Sequence, residues 1–170
     1  STVLGFLAAY GLARYTVPGA GTLRWLIVMP LTVSYLIVGM GLLITLNAAG
    51  VGRSLALVVI GHVVINLPLA FAICTSQLGG HQAVLERAAR DLGAGEAKVM
   101  GLITVPLIWP ALFAAFCLCF TLSWDEFVIA YLLTRFDVTL PVVIWGMLRT
   151  GLNPETNAAG TVVFLISLGL

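Results

Sequence analysis

Charged residues are spaced along this chain so that three long apolar runs remain. No Lys, Arg, Asp or Glu occurs in the 28 residues between Arg24 and Arg53, the 32 between Arg53 and Glu86, or the 26 between Lys98 and Asp125. A helix needs about 20 apolar residues, each rising about 1.5 Å, to cross a bilayer. Each run therefore predicts a membrane span: 25–49 with Pro30 near its start, 55–78 interrupted by Pro68, and 105–133. Two shorter apolar segments, 1–13 and 156–170, are too short to span alone and read as visible parts of longer helices in a trimmed chain. The first lacks the basic start of a signal peptide.

Polar stretches fill the gaps. Residues 14–24 carry Pro18, Gly19 and Gly21, a turn signal. Residues 47–53 form a short glycine-containing loop, 79–98 are the long polar stretch in the middle, and 134–155 enclose a short apolar piece, 140–148. That piece is too short to cross and suits either an interfacial helix or an outer gate, with Trp145 at the headgroups. Asn153-Pro154-Glu155 has the form of a helix start: an N-cap, Pro at the first position and an acid in the first turn. The expectation is an all-α membrane protein of about five helices, the first and last truncated, forming one domain over residues 1–170.

Composition narrows the class. Hydrophobic residues make up 61% and charged residues 9%, against roughly 45–50% and 25% in soluble domains. So few charges cannot cover a soluble globule, and so many apolar residues exclude disorder. A net charge of +1 gives no case for nucleic acid. Alternating five helices across a membrane puts Arg14, Arg24, Arg87, Arg90 and Lys98 on one side and Arg53, Arg135 and Arg149 on the other. The positive-inside bias then makes residues 79–104 cytoplasmic and 134–155 extracytoplasmic, with Trp25 and Trp109 near the inner interface. Cys74, Cys117 and Cys119 lie within apolar runs and read as small packing residues, with no metal site expected.

The most informative stretch is Leu85-Glu86-Arg87-Ala88-Ala89-Arg90-Asp91-Leu92-Gly93-Ala94. Leu85, Ala88, Ala89 and Leu92 recur at helical spacing, giving an apolar face with small residues at its middle. Glu86 and Arg90 have the spacing and order of an ion pair, and Gly93 suits a left-handed helix stop. The pattern predicts a short helix, a sharp turn and a second helix feeding the membrane: a small knob for a partner's groove. Gly93-Ala94-Gly95-Glu96-Ala97-Lys98 lacks the Gly-Lys-Ser/Thr of a phosphate-binding loop, so no nucleotide site is expected in this chain.

Glu86, Ala88, Ala89, Gly93 and Val105-Pro106 together resemble the EAA loop of ABC-importer permeases, although the triplet at Glu86 reads Glu-Arg-Ala and Val stands before Pro in place of Leu. Phe120-Thr-Leu-Ser-Trp-Asp-Glu-Phe-Val-Ile-Ala130, Leu140-Pro141 and Asn153-Pro-Glu-Thr-Asn-Ala158 are similar to the spermidine/putrescine branch of that family. The resemblance implies a type I permease-like bundle, multi-pass in the bacterial inner membrane, that does no covalent chemistry. It implies as partners ABC ATPase subunits, a homologous second permease subunit and a periplasmic or lipoprotein substrate-binding protein. ATP and Mg would be bound by the ATPase, and no cofactor by this chain. Leu85, Glu86, Ala88, Ala89, Asp91, Leu92, Gly93 and Ala94 would form the coupling helix that docks into the ATPase. Other cargoes, such as an amino acid, an opine or iron, stay open.

Polar groups inside the apolar runs suggest a solute pathway. Asp125 and Glu126 interrupt the span expected over 105–133, and charge in a bilayer is costly unless it meets water or a cation. They could attract a cationic substrate, with Trp124 and Tyr131 offering aromatic faces, or pair with a basic residue of a neighbouring subunit, or lie among headgroups. Helical spacing would keep the two carboxylates from facing the pore together. His62 and Asn66 share a face of the second span and either line the pore or bond between helices around Pro68. Gly39 and Gly41, like Gly5 and Ala9, are expected at close helix contacts. A self-contained ion-coupled transporter using Asp125, Glu126 and His62 as a relay would leave the small-residue knob unexplained. An intramembrane enzyme lacks the zinc and serine motifs, and His62 and His81 are in different settings.

Overall fold

The computed structural model describes residues 1–135, 139–150 and 154–168, without the side chains of Thr150, Glu155, Thr156 and Leu168. The described residues are helical with no strand: α1 Thr2–Arg14, α2 Ala20–Val28, α3 Tyr35–Ala48, α4 Leu55–Gln77, α5 Gly80–Asp91, α6 Glu96–Val99, α7 Val105–Leu107, α8 Trp109–Trp124, α9 Val128–Leu133, α10 Leu140–Thr150 and α11 Pro154–Leu168. A 3-10 turn, Met29–Thr32, follows α2, and a π-helical turn, Met100–Thr104, joins α6 to α7.

Two of the expected helices are broken. The span expected over 25–49 is divided into α2 and α3 by the 3-10 turn and by Val33-Ser34, because Pro30 lacks an N–H and disfavours helix at Met29. α2 also starts earlier than expected, at Ala20, once Gly19 turns the chain with φ 77°. Arg24, expected in the connection, is therefore helical, and it donates to the Leu12 carbonyl at the end of α1 (3.4 Å). The span expected over 105–133 is bent by 74° at Ile108, between α7 and α8, and is broken again at Asp125-Glu126-Phe127, where Glu126 starts the separate helix α9. By contrast, α4 runs unbroken through Pro68 for 23 residues. Among the described residues α4 alone is long and apolar enough to cross a membrane, and three spans result if each broken pair, Ala20–Thr32 with Tyr35–Ala48 and Glu96–Leu107 with Trp109–Trp124, counts as one. α11 begins at Pro154 as the pattern predicts; Asn153 lies outside the described residues.

The helices form two compact units, residues 1–31 with 66–119 and residues 32–65 with 120–170. The core of the first joins Phe6, Ala9, Tyr10 and Leu12 of α1 to Phe71, Cys74 and Leu78 at the end of α4 and to Ile108. Gly5 makes the close crossing possible: a Cβ there would stand 2.6 Å from the Ala70 Cβ and 2.8 Å from the Phe71 nitrogen. The core of the second joins Leu57, Val58 and Ile65 of α4 to Ile129, Ala130 and Leu133 of α9, with Val38, Leu42 and Leu46 of α3 against them. Gly39 is such a contact too, its missing Cβ 2.8 Å from Leu132 Cδ1, and so is Gly61 against Ile129, which the sequence pattern does not flag. Gly41 is not: nothing lies within 4 Å of a Cβ there, because it is on the open side of α3. All three cysteines are free thiols, Cys74 and Cys119 buried.

Candidate functional site

The predicted knob exists as α5, the turn Leu92-Gly93 and α6. Gly93 takes φ 86°, and its N–H donates to the Arg90 carbonyl (2.9 Å) while that of Ala94 reaches back to Ala89 (3.0 Å), the hydrogen bonds of a left-handed helix stop. Leu85, Ala88 and Leu92, along with Asp91 and Gly93, are exposed, whereas Ala89 and Ala94 are half-buried. Leu92, 88% exposed, is the apex of this apolar face.

Glu86 departs from the expectation. It is fully buried, turned away from the exposed Leu85, Ala88 and Leu92. Its carboxylate accepts from Arg14 at the end of α1, with Arg14 Nη2 3.1 Å from Oε1, and from the Thr104 hydroxyl (2.9 Å). The local pair with Arg90 is only a long contact, 3.8 Å. Arg14 Nη1 also donates to the Leu78 carbonyl at the end of α4 (3.2 Å). A second set of bonds lies beside the first. Arg90 donates to Glu96 (2.8 and 3.0 Å) and to the Tyr10 hydroxyl (3.3 Å), which donates to Glu96 (3.3 Å). The Arg90 hydrogen bond holds the Glu96 carboxyl below the usual carboxylate range and raises the Arg90 guanidinium in turn. Two turns of α1, at Tyr10 and Arg14, thus fasten both helices of the knob. The sequence contains no local signal for this, since Arg14 and Glu86 are 72 positions apart.

The polar groups of the second unit divide in a way that helical spacing does not foresee. Asp125 and Glu126 lie in the break between α8 and α9, not on a continuous helix. Glu126 is 6% exposed and caps α9: Oε1 accepts from the N–H groups of Val128 (2.9 Å) and Ile129 (3.1 Å), and Oε2 from Ile129 (2.9 Å) and Ala130 (3.3 Å). His62 Nε2 stands 3.6 Å from Oε2, and His62 Nδ1 is 2.6 Å from the Ser123 hydroxyl. The arrangement suits a tautomer whose Nε2–H faces Glu126 while Nδ1 accepts from Ser123. Asn66, one turn beyond His62 on α4, belongs to the first unit, where it is buried and its backbone carbonyl lies 3.6 Å from Cys119 Sγ.

Asp125 is exposed and lines a cavity of about 380 Å³ with Trp124, Phe127, Pro141, Trp145 and Leu148. Neither His62 nor Asn66 lines it. Tyr131 stacks on Phe127 at 5.4 Å and opens instead to a separate cavity with Arg53 and Arg135. Trp145, which the sequence places only at a headgroup interface, tilts against Phe127 at 5.4 Å and takes the position expected of Tyr131. Among the described residues no group of three or more His, Cys, Asp or Glu side chains is arranged to hold a metal ion.

The sequence is similar to those of known proteins. The chain is 29% identical over 171 residues to the spermidine/putrescine transport system permease protein PotC of Haemophilus influenzae, all of the chain matching 66% of that protein. It is 29% identical to PotC of Escherichia coli K12, 99% of the chain matching 64% of it. It is 32% identical to the putrescine transport system permease protein PotI of the same strain, 96% of the chain matching 61% of it. The chain thus spans a little under two thirds of the length of these relatives. The family described as the inner membrane component of binding-protein-dependent transport systems matches residues 1–170 throughout, and the chain belongs to it.

Proposed function

We propose that this chain is a membrane-spanning permease subunit of an ATP-driven importer in the bacterial inner membrane, carrying a polyamine such as spermidine or putrescine. In this reading the chain crosses the membrane several times and pairs with a second, homologous permease subunit. It receives solute from a binding protein and takes its energy from separate ATPase subunits. One observation carries the reading: an exposed apolar face, Leu85, Ala88 and Leu92, on a helix that is fastened from behind by the buried Arg14–Glu86–Thr104 cluster. A face so exposed is open to a partner, and a helix so fastened is tied to α1. ATP-driven closure of the ATPase pair would move the knob as a rigid body and bias the pore between two states. The polyamine assignment is supported by the names of the relatives and by the carboxylate in an aromatic-walled cavity.

The coupling role is tested with Leu92→Asp. Leu92 supports no core, so the variant is expected to insert and purify normally. Its charge would be buried against an apolar ATPase groove, so the ATPase is expected to fall away during purification and uptake to drop by at least about tenfold. Full retention of the ATPase and of uptake would count against the coupling role.

A further inference from the structure

Two arginines from different connections, Arg53 and Arg135, line one cavity of the second unit, about 310 Å³ in volume. Each follows shortly after a helix stop that fixes its backbone. α3 ends at Gly50, φ 76°, whose N–H donates to the Asn47 carbonyl (3.0 Å) while that of Val51 reaches back to Leu46 (2.9 Å), a left-handed stop like that at Gly93. Arg53 comes three residues later, and the next carbonyl, that of Ser54, accepts from Leu57 and Val58 in the first turn of α4 (3.1 and 3.3 Å). α9 ends at Thr134, whose N–H and hydroxyl both donate to the Ala130 carbonyl (3.0 and 2.8 Å), and Arg135 is the next residue. Among the described residues Arg53 makes no ion pair, and no carboxylate lines the cavity. Leu43 of α3, Leu132 of α9 and Val142 of α10 supply an apolar wall, and Tyr131, stacked on Phe127, borders it.

We propose that this cavity holds the phosphate of an anionic phospholipid, with Arg53 and Arg135 as its donors and the apolar wall against the glycerol and first methylenes. The proposal rests on the reading that α4 crosses the membrane, and is otherwise independent of the cargo. Arg53 stands two residues before the start of that helix, so the cavity lies at the membrane face, at the depth of the headgroups. Tyrosine is enriched at the same depth, and basic pockets between membrane helices are a known setting for headgroup recognition. A guanidinium fork matches phosphate oxygens and forms charge-assisted hydrogen bonds with them. The apolar wall decides between a lipid and other anions. A free phosphate, or a carboxylate on another protein, would meet the arginines but leave Leu43, Leu132 and Val142 without an apolar partner, whereas the lipid removes both from water. Because the two arginines are on separate connections, the bound phosphate would tie the loop between α3 and α4 to the end of α9.

The test uses the complete importer, this chain with its permease and ATPase partners, delipidated in a neutral detergent. Phosphatidylglycerol and phosphatidylcholine are added in equal amounts, and the lipids retained per complex are counted by native mass spectrometry. The unaltered complex is expected to retain phosphatidylglycerol in preference. Arg53→Gln and Arg135→Gln are each expected to cut that preference about fivefold, the weight of one arginine at an anionic lipid surface. Arg53→Lys keeps the charge without the fork and is expected to fall between. Arg149→Gln, on α10 and not lining the cavity, is expected to leave the preference unchanged. Arg53 and Arg135 are exposed and outside any helix, so their variants are expected to fold; an unchanged melting temperature before lipid is added checks this. The site falls if the unaltered complex shows no preference, if the double variant Arg53→Gln with Arg135→Gln keeps it, or if Arg149→Gln loses it equally. Displacement of the lipid by inorganic phosphate at equal concentration would assign the cavity to a soluble anion, and a double variant that keeps the lipid but no longer captures the binding protein would assign it to a protein contact; either result overturns the lipid site. A chain recovered from cells outside the membrane fraction would instead remove the membrane reading on which the site rests.

Discussion

Neighbouring residues of the same charge, Asp125 and Glu126, end in opposite surroundings because a helix starts between one and the next. Four N–H groups at a helix start lack partners within the helix, and a carboxylate there is favoured by both hydrogen bonding and the helix dipole. Glu126 supplies that carboxylate to α9 from a buried position. Removing it leaves the N–H groups of Val128, Ile129 and Ala130 without this acceptor. Glu126→Ala is therefore expected to cost about 1–3 kcal/mol, read as a lowered melting temperature of the purified protein in detergent. Glu126→Gln keeps one acceptor oxygen and is expected to fall between the alanine variant and the unaltered chain. An unchanged melting temperature in Glu126→Ala would refute the capping role. The sequence marks both carboxylates as candidates, since charge in an apolar run is conspicuous. It does not separate them, because residues 125–127 contain neither Pro nor Gly and the run reads as one continuous helix.

At the scale of elements, the knob is the part most legible in the sequence and its fastening the part least legible. Helical spacing, the small residues and Gly93 are local signals, and α5 and its turn follow them. The partner of Glu86 is not local. An i,i+4 rule selects Arg90, yet the strong contact is with Arg14, brought close by the packing of α1 against the end of α4. A buried ion pair is a weak source of net stability, but breaking it by removing one member leaves the other charge buried and uncompensated, at about 3–5 kcal/mol. Arg14→Leu and Glu86→Leu alone are each expected to lower the melting temperature sharply and to abolish coupled uptake. The double variant, with both charges gone, is expected to recover much of the melting temperature. If the double variant is as unstable as the sum of the singles, the two residues are not acting as a pair. The Arg90–Glu96 contact beside them is exposed and contributes less. Because its carboxyl is held below the usual range, its contribution is present above that range and is lost only as pH falls through the lowered value.

For the whole molecule, charge-free runs reveal which stretches are apolar but not where they bend. Pro68 leaves α4 straight enough to continue, Pro30 accompanies a break, and the bend at Ile108 lies between Pro106 and Pro110 after a π-helical turn. Backbone groups freed at such breaks must find partners among neighbouring helices, so whether a Pro breaks a run depends on the packing around it as well as on the run itself. What the chain can do energetically is more tightly bounded. Two of the three groups that could serve an ion relay are already engaged: Glu126 with the α9 backbone, and His62 with Ser123 and Glu126. On the proposed reading the lever is the knob, moved by an external motor, and a proton or sodium gradient is not expected to drive uptake. Solute uptake by the reconstituted complex is accordingly expected to stop when ATP is withheld or a non-hydrolysable analogue replaces it. A proton or sodium gradient imposed on the same proteoliposomes is expected to leave uptake near background. Collapsing those gradients with ionophores while ATP is present is expected to leave the rate unchanged. Gradient-driven uptake without ATP would instead mean that His62 and Glu126 exchange protons during transport, and that the knob serves assembly and not drive.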